Sequence, residues 1–307
     1  MIIDKLYNDE NLESFIINGA IGDFLLFDSL LTNTIRKRIK KIVIWNPFHP
    51  INPKGFLVEK MIRSNFDYNN KTEIKVINFP KLHSGTNPET NLPFSHDFNW
   101  INNTINLIIN KEKLDRNKTF IQHRLFLEAT KNYSNLRHFK NTVKINEARS
   151  SYLNRKLTNS LERFAFTKEK YCVIVPHTSP ERTFRAFDYG QCIKILNDVL
   201  KMKGVVLTGQ KIRMHNKSII NLATKTTINE SIELTKNASA YIGIDSFLSI
   251  IATEVLPECD IAIKAESFGI NHPYFYNKID NVRRIVYPHL NFERFKRFKK
   301  KNLKFTL

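Results

Sequence analysis

The fold is decided by a stretch that opens with Tyr171-Cys-Val-Ile-Val-Pro-His-Thr-Ser179 and continues to Leu256. The opening is a short apolar run that ends in a polar turn, and a helical pattern follows it. Two further apolar runs, Val205-Val-Leu207 and Ala240-Tyr-Ile-Gly-Ile-Asp245, are each followed by polar residues. Helical patterns cover Ile228 to Asn237 and Ser246 to Leu256. Short apolar strands that alternate with helices predict a parallel α/β sheet with helices on both of its faces.

Small or polar residues follow each predicted strand of this stretch. They are Thr178-Ser179, Thr208-Gly209 and Asp245-Ser246. In open parallel sheets, ligands bind beyond the carboxyl ends of the strands. We therefore predict that these residues form the rim of a site for a ligand that carries hydroxyl or phosphate groups.

The N-terminal half repeats the alternation. Strands are predicted at Phe15 to Asn18, Ile42 to Trp45 and Ile74 to Phe79. Helices are predicted after the first strand and at Phe56 to Arg63, Phe98 to Ile109 and Phe120 to Tyr133. The first strand runs into a turn that contains Gly19 and Gly22, where we expect close backbone approach and positive φ. This half is therefore predicted to be a second doubly wound α/β domain.

Asp23 follows the glycine turn at the point where a helix is expected to start. Two roles are open for its carboxylate. It can cap the amino end of the helix, as aspartate commonly does. It can also project from the strand-to-helix loop into a cleft and act as a catalytic base.

The composition favours a globular protein that binds polyanions. The chain has 307 residues and a formal net charge of +19, which favours nucleic acid, anionic lipid or phosphorylated glycan as partners. No apolar run reaches the length that spans a bilayer, and the N-terminus lacks the layout of a signal peptide. The three cysteines are too few and too widely spaced for a disulfide framework or a zinc site. A cytoplasmic location is expected.

Two basic segments need an interpretation. The run from Arg36 to Lys41 is expected to be a solvated helix end. In the segment from Asn291 to Lys304, Phe292, Phe295 and Phe298 alternate with seven lysines and arginines, which predicts a basic amphipathic helix. Such a helix either lies on a membrane surface or docks its phenylalanines on the protein core and exposes its lysines.

Common nucleotide and metal motifs are absent from the sequence. No stretch fits GxxxxGK[ST] or GxGxxG, and there is no HExxH, paired-cysteine or Asp-x-Asp pattern. No metal site is therefore predicted. A bound diphosphate would have to be held by backbone N–H groups, hydroxyls and cations. The segment after the first strand of the C-terminal half supplies such groups, namely Thr178, Ser179, Arg182, Thr183 and Arg185.

Four segments together resemble the family-nine glycosyltransferases, the heptosyltransferases of lipopolysaccharide biosynthesis. They are Asn18-Gly-Ala-Ile-Gly-Asp-Phe-Leu-Leu26, Val173-Ile-Val-Pro-His-Thr-Ser179 with Arg185-Ala-Phe-Asp188, Val205-Val-Leu-Thr-Gly209, and Asn237-Ala-Ser-Ala-Tyr-Ile-Gly-Ile-Asp-Ser246. Their order and spacing match the family over roughly two thirds of the chain. Phe247 and Ser249 stand where the family usually has a glycine and a histidine.

The resemblance implies a GT-B fold, in which two Rossmann-like domains face each other across a cleft. It implies an N-terminal acceptor domain at 1–155, a C-terminal donor domain at 156–290 and a basic helix at 291–307. It also implies metal-independent, inverting transfer of a sugar from a nucleotide-diphosphate donor, with no cofactor. Asp23 would be the general base. The donor would be bound by Gly22, Thr178, Ser179, Arg182, Arg185, Thr208, Gly209, Asp245, Ser246 and Ser249.

The acceptor is left open between two classes, and catalysis itself has an alternative. The first class is an envelope glycan or lipid-linked acceptor, reached at the inner membrane face through the basic C-terminus. The second is modified bases in DNA, for which the positive charge would provide phosphate contacts. The alternative to catalysis is a GT-B-like module that binds nucleotide-sugars or nucleic acid without turnover.

Overall fold

The chain divides into two compact units, Met1–Tyr152 and Leu153–Leu307. The computed structural model describes residues 5–6, 8–19, 21–28, 31–45, 53–65, 68–77, 98–122, 160–177, 187–214, 216–244, 246–257, 260–264, 286–287 and 292–303. Each unit is built on its own sheet, and every strand pairing described in the two sheets is parallel. The α/β class predicted from the sequence is confirmed.

Unit 1 contains a four-stranded sheet. Its strands are β1 (Ser14–Asn18), β2 (Lys41–Trp45), β3 (Glu73–Ile77) and β4 (Thr119–Ile121). They lie in the order β3-β2-β1-β4. The order reverses beside β1, which is the arrangement of a doubly wound, Rossmann-like sheet.

Helices cover both faces of this sheet. They are α1 (Ile21–Asp28), α2 (Asn33–Arg38), α3 (Pro53–Asn65) and α4 (Phe98–Lys111). The isoleucines of α4 pack with Ile16 and Val43 on one face. On the other face Phe27 of α1 packs edge-on against Phe15 of β1 at 5.1 Å between ring centroids. Alternate residues of β1 therefore enter two different cores, as the two-residue period of a strand requires.

The helix predicted from Phe120 to Tyr133 is wrong at its start. Thr119–Ile121 is strand β4, which pairs with β1, and residues 123–133 lie outside the described part. Phe120 stacks on Phe27 at 5.7 Å, whereas Ile121 joins the core beneath α4. Adjacent residues that are buried on opposite faces produce a continuous apolar run. Such a run does not distinguish a short buried strand from a helix.

The prediction that Arg36 to Lys41 form a solvated helix end is also wrong for Arg36. Arg36 is 1% exposed. Its Nε donates to Asp28 Oδ1 at 3.0 Å and its Nη2 to Oδ2 at 2.9 Å. Tyr68 donates its hydroxyl to Asp28 Oδ1 at 2.9 Å, and burial, followed by the Asp28 charge, raises the pKa of that phenol well above its ordinary value. The arginine is buried because its charge is matched by a buried carboxylate.

A second ionic cluster of unit 1 surrounds Glu112, just after α4. Its carboxylate lies 3.1 Å from Lys41 Nζ and 2.9 Å from Lys75 Nζ. Burial alone would raise the pKa of Glu112, but the hydrogen bonds from Lys75 and Lys41 dominate and lower it. These ion pairs join the end of α4 to Lys41, the first residue of β2 at the amino edge of the sheet, and to Lys75 in the middle of β3.

Unit 2 contains a six-stranded sheet. Its strands are β5 (Tyr171–Val175), β6 (Lys203–Val206), β7 (Ile219–Asn221), β8 (Ala240–Ile244), β9 (Ile261–Lys264) and β10 (Val286–Tyr287). They lie in the order β7-β6-β5-β8-β9-β10. If the six strands of unit 2 are numbered 1 to 6 along the chain, this order is 3-2-1-4-5-6, which is the strand order of the Rossmann fold. β7 is not predicted from the sequence.

The helices of unit 2 begin close to where the sequence predicts them. They are α5 (Tyr189–Lys194), α6 (Ile228–Lys236), α7 (Phe247–Val255) and α8 (Phe292–Leu303). α5 continues as a π-helical segment, Ile195–Leu200, which the apolar periodicity does not reveal. Cys172, Ile174 and the α5 side chains form the core on one face of the sheet. From the other face, Tyr171 donates its hydroxyl to the Leu234 carbonyl of α6 at 2.7 Å.

α8 docks on the core of unit 2. Phe295 is fully buried within the same core cluster as Ile174, and Phe292 packs against that cluster half-buried. Phe298 has no described side chain. Of the two alternatives for the basic helix, docking of its apolar face on the protein core is therefore the one observed at Phe295.

Among the described residues, no helix is both long enough and apolar enough to cross a bilayer. Cys172 and Cys192 are buried free thiols, and Cys259 lies outside the described part.

Candidate functional site

The strand order of the six-stranded sheet of unit 2, called sheet 2 from here on, indicates the edge at which a ligand would bind. β5 lies between β6 and β8, so the chain winds away from β5 in both directions. In such sheets the carboxyl ends of the two strands at the reversal diverge and leave a crevice for ligands. His177 follows β5, and Ser246 follows β8. We call the carboxyl ends of β5, β6 and β8, with the residues that follow them, the ligand edge.

Three side chains from different elements meet at the ligand edge. Thr208, which follows β6, donates its hydroxyl to the His177 carbonyl at 3.2 Å. The His177 Nε2 lies 3.0 Å from the hydroxyl of Tyr189, the first residue of α5. Tyr189 in turn packs edge-on against Phe187 at 5.1 Å. The turn after β5, the turn after β6 and the start of α5 are thereby fixed to one another.

Burial favours the neutral form of both His177 and Tyr189. It lowers the pKa of the half-buried His177 imidazole. It also raises the pKa of Tyr189, to which the nearby Cys192 thiol adds. A neutral imidazole has one donor and one acceptor nitrogen, and a protonated phenol can donate and accept. The pair therefore offers hydrogen bonds to a ligand and no fixed charge.

Gly209 leaves open space in the segment that follows β6. A Cβ placed on Gly209 would meet no heavy atom within 4 Å, and the residue is exposed. Gly209 is adjacent to Thr208, whose Oγ1 also accepts from the Gln210 N–H at 3.2 Å. This turn is thus ordered by its own hydrogen bonds and still allows a ligand to approach its backbone closely.

Ser246 and Ser249 lie together at the start of α7. The Ser246 hydroxyl accepts from the Ser249 N–H, and the Ser249 hydroxyl accepts from the Ser246 N–H, forming a capping box. Ser249 is fully buried and donates its hydroxyl to the Ser246 carbonyl at 2.6 Å. Ser246 remains half-exposed and lies 3.2 Å from the Tyr241 hydroxyl. Both serines therefore organise the helix start, and Ser246 is the one with access to solvent.

Tyr241 reaches the ligand edge because Gly243 is small. Both residues lie on the same face of β8, and the Tyr241 hydroxyl donates to the Ile244 carbonyl at 3.2 Å. A Cβ on Gly243 would lie 2.7 Å from the Tyr241 hydroxyl oxygen and 2.9 Å from the Val175 carbonyl oxygen. Only glycine fits at this position, so the tyrosine and the end of β5 can lie close together.

Asp23 lies within α1 and not before it. The helix begins at Ile21, so Asp23 is its third residue, and the interpretation as N-cap is wrong. The third helical position remains favourable for a carboxylate, because it lies at the positive end of the helix dipole. The Asp23 side chain lies outside the described part. Gly22 is helical, and none of the described glycines has the positive φ that we expected at Gly19 and Gly22.

The structure brings some of the predicted donor-binding residues together. Thr208 and Gly209 lie beside His177, and Ser246 contacts Ser249. Thr178, Ser179, Arg182, Arg185 and Asp245 lie outside the described residues. Sequence reasoning assigned no role to Tyr189 or Tyr241, although Tyr189 directly follows the quoted segment Arg185-Ala-Phe-Asp188 and Tyr241 lies within Asn237–Ser246. In the described part of the chain, no group of three or more histidine, cysteine or carboxylate side chains could hold a metal ion.

Comparisons with family models, with curated proteins and with solved structures found no match for this chain. The strand order of sheet 2 and the side chains at its ligand edge are therefore the observations from which a function can be inferred.

Proposed function

We propose that the protein is an inverting, metal-independent glycosyltransferase of the GT-B class. It transfers a sugar from a nucleotide-diphosphate donor to a hydroxyl group of a glycan or lipid-linked acceptor. Unit 2 binds the donor at the ligand edge, and unit 1 supplies Asp23 as the general base.

The observation that carries this proposal is the strand order of sheet 2. The 3-2-1-4-5-6 order is the one that binds nucleotides at the reversal point. All three polar turns singled out in the C-terminal half follow β5, β6 or β8 in the chain. These are the reversal strand and its two neighbours in the sheet. The 3-2-1-4 order of unit 1 supports a second domain of the same type.

For this transfer reaction the protein mainly has to position the donor and the acceptor and to form hydrogen bonds with them. Asp23 takes the proton of the acceptor hydroxyl while its oxygen forms a bond to the anomeric carbon. The bond from that carbon to the diphosphate breaks on the opposite face, and the diphosphate leaves with the electron pair. Donors at the ligand edge, such as the Thr208 turn and the His177–Tyr189 pair, bind the departing anion without a charge of their own.

The test is Asp23→Asn, assayed by release of nucleoside diphosphate from nucleotide-sugars and by calorimetric donor binding. Loss of a general base lowers turnover by about 10²–10⁴-fold, whereas donor affinity is expected to stay unchanged. Asp198→Asn is the matched control, because Asp198 is an exposed carboxylate on the π-helical segment of unit 2. Full turnover in Asp23→Asn would eliminate Asp23 as the base. Donor binding without turnover in the unmodified protein would instead favour a non-catalytic binding module.

A further inference from the structure

α8 is attached to unit 2 by three contacts, which lie between Phe292 and Lys299 along the helix. Its first N–H, that of Phe292, donates to Gln191 Oε1 at 3.0 Å. Phe295 is fully buried in the core, and Lys299 forms an ion pair with Asp260. These three contacts fix which face of the helix points outward.

The outward face of α8 is cationic. Lys296, Arg297, Lys300 and Lys301 are all exposed. At about 100° per residue they occupy an arc of roughly 140° on one side of the helix. Glu293 is exposed within the same arc, so four positive charges and one negative charge leave a net charge of three. Among the described residues, none of the four cations forms an ion pair, in contrast to Lys299.

The two described aromatic rings of α8, those of Phe292 and Phe295, are not available on this face. Phe295 is in the core, and the Lys296 ammonium lies over the Phe292 ring at 5.4 Å from its centroid. Single-stranded nucleic acid is usually bound by exposed rings on which bases stack, and the described part of this helix offers none. What it offers is a group of four exposed cations, three of them lysines, on one side of the helix, which complements an anionic membrane surface.

We propose that the cationic face of α8, made of Lys296, Arg297, Lys300 and Lys301, binds unit 2 to anionic lipid headgroups at a membrane surface. Binding is electrostatic and does not involve insertion of the helix. Amphipathic helices usually bury their apolar face in the lipid, but here Phe295 of that face is used by the core. Binding therefore falls steeply with added salt, because exposed charges are screened within about 10 Å at 0.1 M salt.

The test is co-sedimentation of the full chain with vesicles of phosphatidylcholine alone and of phosphatidylcholine mixed with phosphatidylglycerol. We expect binding to the anionic vesicles only, and its release by high salt. Each basic residue near such a surface contributes about fivefold in binding. Replacement of all four cations by glutamine therefore weakens binding by about 600-fold if the four contributions are additive.

The matched control replaces four other exposed lysines of unit 2 by glutamine, namely Lys170, Lys203, Lys217 and Lys225. Both variants lose four charges, and thermal melting verifies that both are folded. Equal loss of binding in the two variants would show attraction by overall charge and overturn the proposal. Binding that survives high salt would contradict the electrostatic mode. Retention of duplex DNA and not of anionic vesicles would also overturn it. Vesicle binding and nucleotide binding are separate measurements, so this proposal and the transferase can fail independently.

Discussion

The amino edge of the unit 1 sheet and the ligand edge of the unit 2 sheet bury polar groups in opposite ways. At the amino edge of unit 1 the buried groups are charged and paired, as in Asp28 with Arg36 and Glu112 with two lysines. At the ligand edge the side chains of His177, Tyr189 and Ser246 are neutral and only partly buried.

This difference indicates which edge serves stability and which serves binding. A buried ion pair tolerates no loss of a partner, because the remaining charge has no water to solvate it. A half-exposed neutral pair retains free hydrogen-bonding capacity that a ligand can use. We therefore expect substitutions at the amino edge of unit 1 to affect folding, and those at the ligand edge to affect ligand affinity.

The largest effect on stability is expected for Arg36→Met. It leaves the Asp28 carboxylate buried without its guanidinium, which costs about 3–5 kcal/mol. The measurement is urea unfolding followed by circular dichroism. Arg63→Met is the matched control, because Arg63 forms an exposed pair with Glu59, and such a pair contributes about 0.5 kcal/mol. Equal losses in the two variants would refute the distinction between buried and solvated arginines.

An intermediate effect is expected for Gly243→Ala. The new methyl group would press on the Val175 carbonyl and the Tyr241 ring, and overpacking of this kind costs about 1–3 kcal/mol. The same substitution at Gly209 meets open space and should change stability by less than about 0.5 kcal/mol. Both are measured by urea unfolding. A stable Gly243→Ala protein would show that β5 and β8 separate more easily than their packing indicates.

Apart from the control substitutions at Arg63 and Gly209, the smallest effect on stability is expected for Glu112→Gln, at about 1 kcal/mol, because both lysine partners keep contact with solvent. It should also depend on pH. The pKa of Glu112 is lowered in the folded chain from its ordinary value of 4.5. Its stabilisation is therefore present above that value and is lost as the pH falls through the folded-state pKa. The difference in unfolding free energy between the two proteins should shrink on acidification, and growth of that difference would contradict the assignment.

Much of this fold could be predicted from local patterns. Strands β5, β6 and β8 and helices α6 and α7 lie where apolar runs and helical periodicity place them. β7 and β4 were missed because three-residue strands carry too little pattern. Short strands are defined by their pairing with distant residues, Gly204 with Ile219 and Phe15 with Phe120, which no local window contains.

The candidate site could be predicted less fully. Thr208, Gly209 and Ser246 follow β6 and β8, as the small polar residues after apolar runs predict, and their role in donor binding stays a prediction. Tyr189 was missed, since its role depends on a hydrogen bond to His177, which lies twelve residues earlier in the chain. Arg36 was predicted to be solvated because nothing near it in the sequence reveals that it forms an ion pair with Asp28 of the preceding helix. Partners of this kind follow from packing and not from spacing.

The most direct test of the central claim is nucleoside diphosphate binding at the ligand edge, measured by thermal unfolding of the unmodified protein and of Gly209→Leu. A nucleoside diphosphate at 100 times its Kd should stabilise the unmodified protein by about 2.7 kcal/mol. Gly209→Leu should unfold at the same temperature without ligand and gain nothing from it. If no nucleoside diphosphate stabilises the unmodified protein, or if Gly209→Leu is stabilised equally, the ligand edge is not the nucleotide site.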